Sequence, residues 1–167
     1  EIIYLERENN ERHSGILGFF KLIKEIKLKK FDKIKWNSSV AEKLPFKSET
    51  FDVYSVSFGI RNFSDINAAL KEARRVLKTG GRILCLEFSK VENETLEKIY
   101  KLYSKSIPYI GKYIAGKSEP YEYLIKSIEE FYGQEELLEI FQNNGFEKVE
   151  YRNLSGGIAA IHSGWKI

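Results

Sequence analysis

The sequence predicts an α/β fold whose parallel strands are followed by an antiparallel hairpin. Residues 51–89 have the pattern strand, helix, strand, which forms a parallel, right-handed unit. Near the end of the chain, two strand-like segments are joined by Ser155-Gly156-Gly157, a connection so short that the strands must pair antiparallel. The 167 residues are enough for one packed domain, which we expect to span residues 1–167.

Two strands of buried character enclose the predicted helix. Residues 51–57 are rich in β-branched and aromatic side chains and are followed by Gly59. Residues 82–89 form a nearly continuous apolar run, which is typical of a parallel strand covered on both faces. The single cysteine, Cys85, lies in this run, so we expect a buried thiol and no internal disulfide.

The helix between these strands has a predicted start, apolar face and end. Ser64 or Asp65 can accept hydrogen bonds from the first free backbone amides. Gly80-Gly81 is expected to end the helix. The apolar side chains at helical spacing are Ile66, Leu70, Ala73 and Leu77.

A helical insertion is predicted after this unit. Residues 92–132 are dense in tyrosine and lysine and are interrupted by Pro108, Gly111 and Gly116. The segment is much longer than an ordinary connection of about 2–6 residues. We therefore interpret it as an inserted helical cap.

The rest of the chain predicts one helix and two strands. Residues 134–144 carry apolar side chains at helical spacing and are followed by Gly145. The strands are expected over residues 148–154 and 158–165, where they form the hairpin.

Composition argues against several functional classes. The 27 basic and 24 acidic residues give a net charge of +3, too small an excess to indicate nucleic-acid binding. Two histidines and one cysteine offer no metal-ligand spacing, so no metal site is predicted. No apolar run approaches the roughly 18 residues of a membrane span, so any membrane contact is expected to be peripheral.

Several motifs match one known family at that family's spacing. The longest runs from Arg75 to Ser89, RVLKTGGRILCLEFS, and departs at Thr79, where proline is usual. The others are AEKLPF from Ala41, FGIRNFSD from Phe58, YEYL from Tyr121, SI at Ser127, and GIAAIHSGWK from Gly157. Over residues 33–167, the chain resembles the ubiquinone/menaquinone-biosynthesis C-methyltransferases.

The resemblance implies a class I, Rossmann-like methyltransferase fold and S-adenosylmethionine-dependent C-methylation of a polyprenylated benzoquinol. Two features depart from the family. Its glycine-rich turn is not evident before residue 33, where Gly15 and Gly18 are weak substitutes, and Val40 replaces the Asp or Asn that bonds adenine. A fragment truncated at its amino terminus, a sequence lacking internal residues and a degenerate copy all fit these departures.

The resemblance also implies cofactor positions. If residues 2–5 are the family's second strand, Glu6 is the acid that grips the ribose hydroxyls; Glu11 and an ordinary surface glutamate are alternatives. Ser57 closes a strand at the edge where ligands of α/β sheets bind, with plain strand packing as its alternative. The cofactor candidates are Glu6, Val40, Ala41, Ser57 and Phe58.

Three residues are candidates for the chemistry. A ring carbon becomes nucleophilic when the quinol hydroxyl loses its proton, so the site must stabilise a phenolate. Arg61 presents paired, permanently charged donors and Asn62 can orient the same oxygen; a salt bridge that fixes the loop is the alternative for Arg61. His162 can take the proton near neutral pH, unless it is a satisfied core histidine or Glu87 is the base.

The predicted cap offers aromatic and basic surface to a substrate. We expect Tyr100, Tyr103, Tyr121 and Tyr123 to contact the isoprenoid tail of a polyprenyl quinol; packing of the cap onto the sheet is the alternative. Lysines beside them can meet anionic lipid headgroups at about 1 kcal/mol each, which predicts peripheral membrane contact.

Other functions and the location complete the expectations. An inactive relative could serve as a quinol-binding scaffold in a ubiquinone-biosynthesis complex, and another small-molecule methyltransferase is a third possibility. The motifs CLEFSKV and IHSGWK are closer to mitochondrial members of the family. They favour the ubiquinone branch over the menaquinone branch. The expected location is the matrix face of the inner mitochondrial membrane, with the bacterial cytoplasm as the alternative.

Overall fold

The computed structural model describes residues 2–6, 34–92, 94–98, 100 and 119–167. Within them, the strands lie in two sheets, one of two strands and one of four. The elements are β1 (Ile2–Glu6), β2 (Ile34–Ser38), β3 (Phe51–Ser57), α1 (Ile66–Val76), β4 (Leu77–Phe88), α2 (Glu119–Glu129), α3 (Gln134–Asn143), β5 (Glu147–Leu154) and β6 (Ala159–Trp165).

The four-stranded sheet is mixed, as the sequence predicts. Its order is β3-β4-β6-β5, in which β3 and β4 are parallel, while β6 is antiparallel to both β4 and β5. The two strands of the other sheet, β1 and β2, are parallel, and Glu6 lies opposite Ser38 where both strands end. The predicted hairpin is confirmed, with β5 and β6 each within one residue of the expected bounds.

Helix α1 begins where the sequence predicts. Asp65 has an extended backbone, and its Oδ1 accepts a hydrogen bond of 3.0 Å from the Ala68 amide, satisfying one of the free donors of the first turn. The buried face carries Ala69, Leu70, Ala73 and Val76. This face packs against the sheet, and the helix connects the parallel strands β3 and β4.

The predicted end of α1 is wrong, and so is the predicted start of β4. The helix ends at Leu77, whose φ of −71° and ψ of 140° are extended, and β4 begins there rather than at residue 82. Leu77 is fully buried and pairs with Phe51, so core packing turns the chain into the strand. Gly81 lies within β4 instead of ending the helix. The Lys78 backbone oxygen lies so close to it that an added Cβ atom would be only 2.8 Å away, which favours glycine here.

One face of β4 forms the centre of the core. Ile83, Cys85 and Glu87 alternate along the strand and are buried, with α1 and α3 contributing the opposing side chains. The thiol of Cys85 is fully buried as predicted, and burial raises its pKa. The core cluster contains Ile60, Leu70, Ala73, Leu77, Ile83, Cys85, Phe131, Leu137, Phe141 and Phe146.

The predicted carboxy-terminal helix is confirmed as α3. Its buried residues include Leu137 and Phe141, and Gly145 follows it with a φ of 85°, the left-handed conformation that glycine adopts without strain. Helix α3 packs against the hairpin strands β5 and β6, with Leu137 and Phe141 in the core.

The predicted cap is described in part. Residues 94–98 and 100 are helical, α2 spans Glu119–Glu129, and residues 93, 99 and 101–118 lie outside the described residues. The insertion and the single-domain boundaries therefore stay predictions. Among the described residues, no helix is long and apolar enough to cross a membrane.

Candidate functional site

The loop that follows β3 forms the candidate site. Phe58 has a positive φ of 51°, and its amide donates to the Leu86 oxygen of β4 at 2.8 Å, which extends the strand pairing into the loop. Residues Ile60–Asn62 then make a short 3-10 turn anchored by the fully buried Ile60 side chain. The loop is thereby fixed at the carboxyl ends of two parallel strands, where α/β sheets bind ligands.

Arg61 makes a buried ion pair across the end of the sheet. Its Nη1 lies 2.7 Å from Glu87 Oε1, and the two side chains are only 4% and 1% exposed. The same Nη1 donates to the Phe58 oxygen at 2.7 Å, and the Arg61 amide donates to Glu87 Oε2 at 3.4 Å. The salt bridge considered as an alternative for Arg61 therefore exists; its role toward a phenolate stays a prediction.

Both carboxylate oxygens of Glu87 are occupied. Besides Arg61, Oε1 accepts the Phe88 amide at 2.9 Å. Burial raises the pKa of Glu87, and the positive charge of Arg61 opposes that shift. Glu87 is thus held by Arg61, which is the environment of a structural counter-ion.

Helix α2, which lies in the segment predicted to form the cap, contacts the site. Arg61 Nε donates to Ser127 Oγ at 3.3 Å, and Tyr123 OH donates to Asn62 Oδ1 at 3.0 Å. Ser127 lies within a motif of the family, but the sequence indicated no role for it. Its position four residues after Tyr123 on a helix is the signal that could have paired them.

Aromatic rings line the exposed side of the loop. The rings of Phe58 and Phe88 are 4.7 Å apart between centroids, and Arg61 Cζ lies 5.4 Å from the Phe88 centroid. Phe58 and Tyr123 keep 39% and 47% of their surface exposed. The polar groups of Arg61 and Asn62 therefore lie beside an apolar, solvent-accessible surface.

The cofactor candidates are divided between the two sheets. Glu6 ends β1, and Val40 and Ala41 follow β2, where Val40 is exposed and forms an isolated bridge with Lys43. The exposed Ser57 ends β3 in the other sheet, next to Phe58. Glu6 does end a strand, but that this strand is the family's second strand and that Glu6 contacts a cofactor both stay predictions.

Glu42 joins the segment after β2 to the start of α1. Its Oε1 accepts the amides of Ser64 and Asp65 at 2.6 Å and 3.2 Å. A carboxylate at a helix start is stabilised by the free amides and the positive end of the dipole. With the hydrogen bond of 2.9 Å from the Leu44 amide to Glu72 Oε2, this contact holds part of the segment after β2 against α1. No local pattern predicted it.

The substrate candidates differ in position. Tyr123 contacts Asn62, whereas Tyr121 is half-buried on α2 and Tyr100 is half-buried in the other helical part of the cap. Tyr103 lies outside the described residues. Of the three tyrosines that the structure describes, Tyr123 makes a hydrogen bond to a catalytic candidate.

His162 lies in the core beneath α3. Its Nε2 donates to the Gln134 oxygen at 2.9 Å, and its ring is 5.5 Å from that of Tyr151. Its Nδ1 is buried and has no partner among the described residues. None of these contacts is with Arg61 or Asn62, so the structure does not join the three catalytic candidates into one cluster; proton transfer by His162 stays a prediction.

Acid should destabilise the fold through His162. Burial lowers its pKa from the usual value of 6.5, so the unfolded chain takes up the proton first as pH falls. The stabilising contribution of neutral His162 is complete above about pH 6.5 and is lost below it. We expect the urea midpoint to fall between about pH 7 and pH 5, and to fall less in His162→Gln.

The chain supplies a control for this measurement. His13 is its other histidine, and His13→Gln should retain the wild-type pH dependence if His162 is responsible. A His162→Gln variant that loses stability with acid as steeply as the wild type would contradict the assignment.

Comparison with known proteins identifies the family. Residues 21–166 match the ubiE/COQ5 methyltransferase family. The chain is 53% identical over 145 residues to the ubiquinone/menaquinone biosynthesis C-methyltransferase UbiE of Rickettsia akari, covering 86% of this chain and 58% of that protein. It is 51% identical over 137 residues to the UbiE of Brucella anthropi, covering 81% of this chain and 52% of that protein.

Solved structures support the fold. A methyltransferase from Thermotoga maritima, described as a possible histamine N-methyltransferase, has a TM-score of 0.64 at 20% identity, covering 99% of this chain and 73% of that one. A methyltransferase from Aquifex aeolicus has a TM-score of 0.63 at 15% identity, covering 100% and 69%. The fold is that of class I S-adenosylmethionine-dependent methyltransferases, as predicted.

The sequence match covers most of this chain but only part of the length of its relatives. The chain spans 58% of the length of the Rickettsia akari protein, while the family match covers residues 21–166 of this chain. The motifs at Arg75–Ser89 and around Arg61 lie within that range. The chain therefore belongs to the ubiE/COQ5 methyltransferase family.

Proposed function

We propose that the protein to which this chain belongs methylates a ring carbon of a polyprenylated benzoquinol in ubiquinone biosynthesis, with S-adenosylmethionine as methyl donor. The observation that carries the proposal is the 53% identity to a UbiE C-methyltransferase over 145 residues. The rigid loop carrying Arg61 and Asn62 at the carboxyl end of the sheet supports it, because it offers donors at the expected ligand edge.

S-adenosylmethionine supplies a methyl group on a good leaving group, so the protein mainly needs to align the reactants. The exposed Ser57 side chain and the segment of Val40 and Ala41 are suited to hold it, together with Glu6 at the end of β1. The fit is partial, because Val40 can pack against adenine but cannot accept its amino proton.

Arg61 and Asn62 would act on the quinol. Loss of the quinol hydroxyl proton would put electron density on the ring carbon, which is the position that would receive the methyl group supplied by S-adenosylmethionine. Arg61 would stabilise the phenolate oxygen and Asn62 would orient it. Proton transfer by His162 is carried over from the sequence alone, because its ring is buried beneath α3 and bonded to the Gln134 oxygen, while Glu87 is paired with Arg61.

The isoprenoid tail would lie along aromatic surface beside the loop. Phe58 and Tyr123 are exposed there, and Tyr100, Tyr103 and Tyr121 are further candidates in the cap. Such a tail implies peripheral membrane contact, and association with other proteins of ubiquinone biosynthesis belongs to the same proposal. The relatives from Rickettsia and Brucella are bacterial, so the mitochondrial matrix face stays a prediction beside the bacterial cytoplasm.

A quinol-binding scaffold without catalytic activity is the second candidate. Val40 favours it, because the family's adenine acceptor is missing at this position. The scaffold would bind the quinol through the same aromatic surface but would have lost affinity for the cofactor.

One pair of measurements separates the two candidates. The complete protein is incubated with labelled S-adenosylmethionine and a short-chain polyprenyl benzoquinol, and the methylated ring product is identified by mass spectrometry. Binding of S-adenosylhomocysteine is measured in parallel by calorimetry. Product formation supports the methyltransferase, while quinol binding without product or cofactor binding would support the scaffold.

A further inference from the structure

The hydrogen bonds around Arg61 leave one nitrogen of its guanidinium available. Nη1 donates to Glu87 Oε1 and to the Phe58 oxygen, both at 2.7 Å, and Nε donates to Ser127 Oγ at 3.3 Å. Nη2 makes no hydrogen bond within the part of the chain that the structure describes. The planar group is therefore held at two nitrogens, and the third keeps two N–H donors for a ligand.

The Ser127 hydroxyl acts as a hydrogen-bond acceptor toward Arg61. Its Oγ donates its single proton to the Leu124 oxygen one turn earlier, at 2.8 Å. Because a hydroxyl has one proton and two lone pairs, the oxygen then acts as an acceptor toward Arg61 Nε. The backbone of α2 thus orients the Ser127 hydroxyl, which in turn orients the guanidinium.

The same face of α2 also holds Asn62. Tyr123 lies four residues before Ser127, so both side chains leave one side of the helix, and Tyr123 OH donates to Asn62 Oδ1 at 3.0 Å. Glu87 holds Arg61 from the sheet while Ser127 holds it from the cap. Two adjacent loop residues are therefore fixed by one face of one cap helix.

We infer that Ser127 is a positioning residue: it sets the plane of the Arg61 guanidinium so that Nη2 faces the oxygen of a bound phenol or phenolate. The inference rests on the proposed function for its catalytic consequence. Helix α2 would complete the site, because its Ser127 fixes the Arg61 guanidinium at Nε while Glu87 and Phe58 fix it at Nη1.

The first test is independent of turnover. In the isotope-labelled chain, a hydrogen-bonded Arg61 Nε–H should give a resolved NMR signal with slow solvent exchange. Ser127→Ala removes the acceptor and should accelerate that exchange, whereas Ser127→Thr, which keeps the hydroxyl, should restore slow exchange. Glu122→Ala is the control, because Glu122 lies on the exposed face of the same helix.

The second test measures kcat, KM and melting temperature on the complete protein. We expect Ser127→Ala to lower kcat about tenfold, because a guanidinium whose plane is less well fixed aligns its free donor less well with the phenolate. KM should match that of Glu122→Ala, and Ser127→Thr should recover most of kcat together with any melting temperature lost when the buried Nε–H loses its acceptor.

The outcomes separate the two proposals. An unchanged Nε–H exchange rate or an unchanged kcat in Ser127→Ala overturns the positioning role, as does a loss of kcat that follows a lower melting temperature and is not restored by threonine. If the wild-type protein transfers no methyl group, the proposed function fails, and the exchange measurement alone decides whether Ser127 holds Arg61.

Discussion

Arg61→Lys in the complete protein is expected to lower turnover by about 10²-fold or more, the cost of losing one preorganised donor to a developing oxyanion. Lysine keeps the positive charge, but it cannot present the planar set of donors that reaches Glu87, Phe58, Ser127 and a ligand at once. Affinity for S-adenosylhomocysteine should stay close to the wild-type value. Steady-state kinetics and calorimetry on the same preparation measure both quantities.

A structural role for Arg61 predicts a different result. If the ion pair with Glu87 serves only to anchor the loop, Arg61→Lys will lower the melting temperature and weaken cofactor binding together, since the loop adjoins Ser57. Unchanged turnover with reduced stability would remove Arg61 from the catalytic candidates.

Glu87→Gln is expected to lower the free energy of unfolding by about 3–5 kcal/mol, because it leaves the buried Arg61 charge without a counter-ion. The change preserves side-chain size and one acceptor oxygen, so the effect is one of charge. Urea unfolding of the chain at neutral pH, followed by circular dichroism, measures it.

Asp52→Asn provides the matched control. Asp52 pairs with Lys78 at 2.8 Å, nearly the same distance as the pair of Arg61 and Glu87, but both side chains are exposed. Exposed ion pairs contribute little, so this variant should unfold near the wild-type midpoint. A Glu87→Gln midpoint shift no larger than that of Asp52→Asn would show that burial of the pair has little energetic consequence.

The candidate site was predictable in its identity but not in its contacts. The motif around Arg61 and Asn62 marked the loop, and the strand ending at Ser57 marked its place at the edge of the sheet. Two of the partners of Arg61, Glu87 and Ser127, are 26 and 66 residues away in sequence. Such contacts are set by how the cap and the sheet pack, which no local pattern encodes.

Local sequence patterns predicted the strands β3, β5 and β6, the helices α1 and α3, and a mixed sheet. These features depend on side-chain periodicity, capping residues and the length of a connection, all of which act over a few residues. The hairpin over β5 and β6, the Asp65 cap and the bounds of β3 followed from them.

Tertiary packing sets where β4 begins and which polar residues meet. Gly80-Gly81 predicted a helix end, but burial of Leu77 against the core started the strand earlier. The imidazole of His162 is suited to accept a proton near neutral pH. Its position opposite Cys85 in the sheet, however, places it beneath α3, where its hydrogen bond is to Gln134 and not to Arg61. Burial and strand register depend on residues distant in sequence, so they are settled when the elements pack together.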